Sequence, residues 1–154
     1  MEQELRPLIE LVRRFEGCHR RARDGLIYPY ICPAGYATQG WGLLVPDMSA
    51  PPISQEEADR RLMAAIPTYV RETLRLAPSL KREPQEMLCA ISDFVFNLGG
   101  GRFAASTLRR RVREGDWPRA MVELQRWVYG GGKKLPGLVA RRAAEAALIA
   151  TALR

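Results

Sequence analysis

The stretch Tyr30-Ile31-Cys32-Pro33-Ala34-Gly35-Tyr36-Ala37-Thr38-Gln39-Gly40-Trp41-Gly42 marks a change of texture along the chain. Its glycines and proline rule out a long helix, while Tyr30, Ile31, Tyr36 and Trp41 favour short strands. Taken alone, it suits a plain β-hairpin. The same texture runs from Gly17 to Pro52, where Gly25, Pro29, Pro46, Pro51 and Pro52 add further breaks. Residues 17–52 therefore read as a small irregular β-lobe whose strand pairing periodicity alone does not give.

Upstream of that lobe, Leu5, Leu8, Ile9, Val12 and Phe15 recur at helical spacing. They predict an amphipathic first helix over 5–15, within a segment 1–16, ending near the terminator Gly17. Glu16 then stands where a helix gives way to the β-lobe. Downstream, Ser54-Gln55-Glu56-Glu57 is a capping box that opens a helix near residue 55. Leu62, Ile66, Tyr69, Val70 and Leu74 form its apolar stripe, and Pro67 should bend or interrupt it. Met87, Leu88, Ile91, Phe94, Val95 and Leu98 match the 3.6 period and predict the central core helix, closed by Gly99-Gly100-Gly101. Ser106 or Thr107 should cap a short helix that Gly115 stops near Glu114, and Asp116 should cap the next. An alanine-rich helix over roughly 138–152 ends the chain. The class is α+β, mostly α: one domain over 1–154, with a helical lobe over 53–154.

The composition narrows the chemistry. With 154 residues and 47% hydrophobic side chains, a core forms without disulfides or metals as staples. Three cysteines, Cys18, Cys32 and Cys89, include no C-x-x-C pair, which disfavours a disulfide framework and a zinc ribbon. His19 is the only histidine, no G-x-S-x-G elbow accompanies it, and it is expected on the surface. No metal or cofactor is expected. No stretch is apolar for long enough to span a bilayer, and the charged start Met1–Pro7 lacks the apolar run of a secretion signal. The chain is therefore expected to be made soluble in the cytoplasm, without stable membrane insertion. The net charge of +7, almost all from arginine, favours a polyanionic partner such as nucleic acid, anionic lipid or an anionic cell wall.

Four local signals, in chain order, carry a family resemblance. They are Phe15-Glu16-Gly17, the stretch 30–42, Ser92-Asp93-Phe94-Val95-Phe96-Asn97-Leu98-Gly99 and Phe103-Ala104-Ala105-Ser106-Thr107-Leu108. They continue through Gly115-Asp116-Trp117, Arg126-Trp127-Val128-Tyr129-Gly130-Gly131-Gly132, Leu135-Pro136-Gly137-Leu138-Val139 and Arg141-Arg142-Ala143-Ala144-Glu145. In this order the chain resembles the phage-type lysozymes (endolysins), glycoside hydrolase family 24, over nearly its whole length. The resemblance implies a lysozyme-like fold, a β-lobe and a helical lobe around a cleft. The implied activity is hydrolysis of the β-1,4 bond between N-acetylmuramic acid and N-acetylglucosamine in peptidoglycan. It further implies a monomer of phage or prophage origin, released to the wall after membrane permeabilisation by a holin.

The family's catalytic set maps onto Glu16, Cys32 and Thr38. Cys32 and Thr38 have the family's five residues between them, but Glu16 and Cys32 have fifteen, placing about seven extra residues within Cys18–Pro29. A glutamic acid at a lobe boundary is suited to protonating the leaving oxygen. Thr38 offers one donor and two lone pairs with which to hold the attacking water. Cys32, as an unperturbed thiol, would be mostly neutral at pH 7 and only a modest helper. Asp24, inside the inserted stretch, is the competing second carboxylate. Leu43 departs from the family, which often has a histidine there. Asn97, Ser106 and Thr107 are expected to hydrogen-bond sugar or peptide-stem groups, and Arg141 or Arg142 to pair with Glu16. Two alternatives stay open. A lytic transglycosylase would cut the same bond to give anhydro products. A basic binding module would rest on Arg109-Arg110-Arg111, but no nucleic-acid motif accompanies that run, so nucleic acid is not an expected partner.

Overall fold

The computed structural model describes residues 3–17 and 21–154. Cys18 and His19, and with them the expected surface position of His19, lie outside the described residues. Among the described residues, short antiparallel strands interrupt a mainly helical chain. No described helix is long and apolar enough to cross a membrane.

The chain divides into two compact units. One is Val12–Pro67; the other joins the residues up to Leu11 with Thr68–Arg154. The division falls inside helices α1 (Arg6–Glu16) and α2 (Gln55–Leu76), rather than at the texture changes near residues 17 and 53.

In the smaller unit, β1 (Tyr30–Ile31), β2 (Ala37–Gln39) and β3 (Leu43–Leu44) form an antiparallel sheet in the order β1-β2-β3. Tyr30 pairs with Thr38, and Thr38 with Leu44, so Thr38 lies at the sheet's centre. The stretch that reads as a hairpin is thus the β1–β2 hairpin followed by the Gly40-Trp41-Gly42 turn into β3. The inserted residues form a hairpin of their own: Arg21 bridges to Ile27, Ala22 N donates to Leu26 O, and Gly25 N donates to Ala22 O. Ile27 anchors it, buried with Ile53 and Ala58 against Trp41. Ser54 begins α2 by accepting from the Glu57 N–H at 3.1 Å. The Glu57 side chain turns instead to Arg60 and Arg61, so only half of the capping box forms. Of the two outcomes expected at Pro67, a bend or an interruption, the interruption does not occur: the helix runs through it.

The larger unit is built around α3 (Gln85–Leu98), whose buried stripe includes Met87, Ile91, Phe94 and Val95. Each such side chain is worth about 1.5–3 kcal/mol of burial. The edges of Phe103 and Trp127 meet the Phe94 ring at centroid distances of 6.0 and 5.4 Å. Gly99 closes α3 with φ +86, but Gly100 and Gly101, expected only to help end that helix, open another short one, α4 (Gly100–Ala104). Ser106 caps α5 (Thr107–Glu114), and Gly115 ends it at φ +70. Asp116 caps α6 (Trp117–Leu124). A 3₁₀ turn over Pro78–Arg82 and the hairpin of β4 (Tyr129–Gly130) with β5 (Lys133–Lys134) were not anticipated. The last helix, α7 (Pro136–Ala152), begins two residues earlier than its alanine content indicated, with proline in its first turn.

Candidate active site

Cys32 and Thr38 come together at the β1–β2 hairpin. The chain turns tightly between Cys32 and Tyr36: Cys32 N donates to Tyr36 O at 2.9 Å, and Gly35 N to Cys32 O at 2.8 Å. This folds the main chain around the sulfur. Partial burial works to raise the Cys32 pKa, but N–H groups of Tyr36, Ala34 and Gly35, with the Thr38 hydroxyl, outweigh it and hold the thiol below its ordinary value. The expectation of an unperturbed thiol is therefore corrected: its pKa is lowered. The reason is a nest of main-chain donors. Cys89 shows the opposite environment, where burial pushes its thiol up to about 11.

Thr38 is 3% exposed, and its Oγ1 lies 3.0 Å from Tyr36 O as well as within hydrogen-bonding reach of the Cys32 sulfur. Its one proton goes to one of these acceptors. Its lone pairs remain to receive a hydrogen from another group.

Glu16 is the last residue of α1, half-buried, before Gly17 turns the chain at φ +66. Its carboxyl lies against the main chain of Gly42, in the turn that follows β2. Glu16 thus rests on the hairpin that carries Thr38.

Asp24 has a different place. Its Oδ1 accepts from the Leu26 N–H at 2.9 Å and its Oδ2 from the Tyr28 hydroxyl at 2.8 Å. These bonds, the Leu26 N–H foremost, lower its pKa and tie it into the inserted hairpin rather than to Cys32 or Thr38. Leu43 lines an apolar cavity of about 340 Å³ with Trp41, Leu44, Ala64 and Ala65, so this wall is built for packing.

The remaining predicted residues lie in the larger unit. Arg141 forms a two-pronged bond with Asp93, Nε to Oδ2 and Nη2 to Oδ1, both 2.8 Å. Arg142 donates from Nη2 to Glu145 at 2.7 Å and to Asn97 Oδ1 at 2.9 Å, and its guanidinium lies 5.0 Å over the Phe94 ring. An arginine has no acceptor, so Asn97 must turn its oxygen toward Arg142. Burial, then the Asp93 carboxyl, raises the Glu145 pKa well above the ordinary carboxylate value. Ser106 spends its hydroxyl on capping, accepting from Arg109 N at 3.0 Å and donating to Phe103 O at 2.7 Å. Thr107 is the first residue of the helix that Ser106 caps.

Sequence reasoning missed Asp93 and Glu145 as partners of the two arginines. A charged residue within the apolar stripe of α3 and a carboxylate three residues after Arg142 were the available signals. It also missed a cluster near Glu16. The Trp41 Nε1–H donates to Asp59 Oδ1 at 2.7 Å, and the Arg13 guanidinium lies 3.5 Å from the same oxygen.

Known proteins match the chain along most of its length. The family described as phage lysozyme matches residues 13–145. An endolysin of Acyrthosiphon pisum secondary endosymbiont phage 1 is 34% identical, over 92% of this chain and 94% of its own length. A SAR-endolysin of bacteriophage PS119 is 34% identical, over 79% of this chain and 73% of its own. Among solved structures, the muramidase domain of SpmX from Asticaccaulis excentricus is similar at a TM-score of 0.76 and 27% identity, covering 94% of this chain and 95% of that one. The active form of the P1 phage endolysin Lyz shares the fold, with a TM-score of 0.76 at 23% identity, covering 96% of this chain and 85% of that one.

Proposed function

Since this chain belongs to the phage lysozyme family, we propose that it hydrolyses the β-1,4 bond between N-acetylmuramic acid and N-acetylglucosamine in peptidoglycan, with Glu16 as proton donor. It is a glycosidase, and its substrate is the bacterial wall. The observation that carries the assignment of roles is the Cys32 sulfur in its ring of main-chain donors beside Thr38, on the sheet whose β2–β3 turn the Glu16 carboxyl lies against.

In this reading Glu16 protonates the glycosidic oxygen as the bond to the anomeric carbon breaks. Positive charge develops on the sugar ring, and the Cys32 sulfur, whose N–H nest favours negative charge on it, stabilises the ring electrostatically. Thr38 accepts a hydrogen from water through a free lone pair and holds that water for attack. The water oxygen bonds to the anomeric carbon, its second proton passes to solvent, and solvent returns a proton to Glu16. The local bonding of Asp24 supports Cys32, not Asp24, at the second position. In the larger unit Asn97 and Thr107, with Ser106 shaping the loop, are the groups that meet sugar or peptide-stem atoms, while the buried Arg141 and Arg142 act behind them, Arg142 by holding the Asn97 oxygen. The whole chain works as one catalytic domain and as a monomer. It reaches the wall from the cytoplasm once a holin has opened the membrane.

Glu16→Gln keeps the shape of the side chain and removes the proton. The variant should fold and sediment with purified cell walls, yet clear them at least ~100-fold more slowly than the wild type. Lysis at an unchanged rate would remove Glu16 from the role.

A further inference from the structure

We propose that Gly42, together with the cluster of Arg13, Asp59 and Trp41, positions the Glu16 carboxyl for proton transfer; this rests on Glu16 being the donor. The first observation is the space at Gly42. A Cβ built there would stand 2.5 Å from Glu16 Oε2 and 2.8 Å from its Cδ, closer than real atoms approach. Gly42 also has φ +83, a left-handed conformation that side chains resist. The bare main chain therefore forms the floor on which the carboxyl lies, and no other residue leaves that floor open.

The second observation is independent of that contact. Trp41, the neighbour of Gly42, donates its Nε1–H to Asp59 Oδ1 at 2.7 Å, and Gln55 Nε2 reaches the same oxygen at 3.3 Å. Arg13 stands on α1 three residues before Glu16. Its guanidinium lies 3.5 Å from that same Oδ1 and 5.8 Å over the Trp41 ring. One oxygen on α2 thus fixes both the helix end that carries Glu16 and the turn on which Glu16 rests. The floor and the group that lies on it are held in register by a common anchor.

A misplacement of about 1 Å in a catalytic group costs on the order of 100-fold in rate. Gly42→Ala should accordingly lower kcat on purified peptidoglycan ~100-fold while KM stays within about two-fold. Trp41→Phe, which keeps the ring and removes only the N–H, should lower kcat about ten-fold with the same split, and it covers the case in which Gly42→Ala does not fold. Gly115→Ala is the control for backbone strain, since Gly115 has φ +70 but its Cβ would meet only a Glu83 oxygen, at 3.9 Å. It should lose thermal stability and keep kcat. A stability cycle reads the contact without activity: Gly42→Ala should lower Tm less when Glu16 is already alanine.

The inference is overturned if Trp41→Phe and Gly42→Ala keep the wild-type kcat, if Gly115→Ala loses kcat to the same extent, or if Gly42→Ala lowers Tm equally in both backgrounds. Glu16→Gln separates the two levels. An active Glu16→Gln defeats the reading of Glu16 itself, whereas an inactive one beside an unimpaired Gly42→Ala defeats only the positioning role.

Discussion

The Cys32 sulfur sits among donors that would serve a carboxylate equally well: N–H groups of Ala34, Gly35 and Tyr36 and the hydroxyl of Thr38. If its negative charge is what matters, Cys32→Asp should retain kcat within about ten-fold, and Cys32→Ala should lose at least ~100-fold. Steady-state turnover of solubilised peptidoglycan measures both, and equal loss in the two variants would contradict a role through charge. Glu145 is a second residue whose environment makes a measurable statement. Burial first, and the Asp93 carboxyl next, hold its pKa well above the ordinary value, so the folded chain keeps a proton that the unfolded chain releases near pH ~4.3. That contribution to stability is full below the unfolded pKa and is lost as pH rises through the raised folded value. Glu145→Gln carries no such penalty, so its denaturation midpoint should gain on the wild type as pH rises. Parallel midpoint–pH curves would contradict a raised pKa at the buried Glu145. The spacing of Cys32 and Thr38 could be read directly from the chain, but the lowered thiol pKa could not. Its cause is main-chain N–H groups, which every residue but proline carries.

At the scale of elements, α2 makes the sharpest prediction. Pro67 lies inside a continuous helix, where it removes one N–H···O bond and crowds the preceding turn. Pro67→Ala restores the donor at a cost of about 0.4–1 kcal/mol in unfolded-chain entropy, leaving a gain of about 2 kcal/mol. Urea unfolding would check it, and a lowered midpoint would show that the neighbours of Pro67 already accommodate the ring. The helices that could be read from sequence are those with a strong local cause: the stripe from Met87 to Val95, the Ser106 and Asp116 caps, and the Gly115 stop. Those that could not be read depend on contacts beyond the segment. Gly100 and Gly101 are poor helix formers, yet they open α4, where Gly100 is buried so closely against Glu72 that a side chain would collide with its carboxyl. The β4–β5 hairpin has only two residues per strand, too short for alternation to register. The inserted hairpin was seen as extra length, but its anchoring through Ile27 required the pairing with Ile53 that sequence does not display.

At the scale of the molecule, the chain carries a net charge of +7 and belongs to a family that acts on the bacterial wall. Glu16, Cys32 and Thr38 all belong to the unit Val12–Pro67, while Asn97, Arg141 and Arg142 belong to the other. The division passes inside α1 and α2, where texture gives no sign of it: a helix carries one sequence signature along its length whichever unit its turns join. The central claim is that this chain breaks the glycosidic bond with water, Glu16 supplying the proton and Thr38 holding the nucleophile. Mass spectrometry of the fragments released from purified peptidoglycan tests it most directly. The account predicts fragments ending in free reducing N-acetylmuramic acid from the wild type, and almost none from Glu16→Gln. Fragments ending in anhydro-muramic acid, lighter by the elements of one water, would mean that the sugar's own hydroxyl closes the ring and would contradict it.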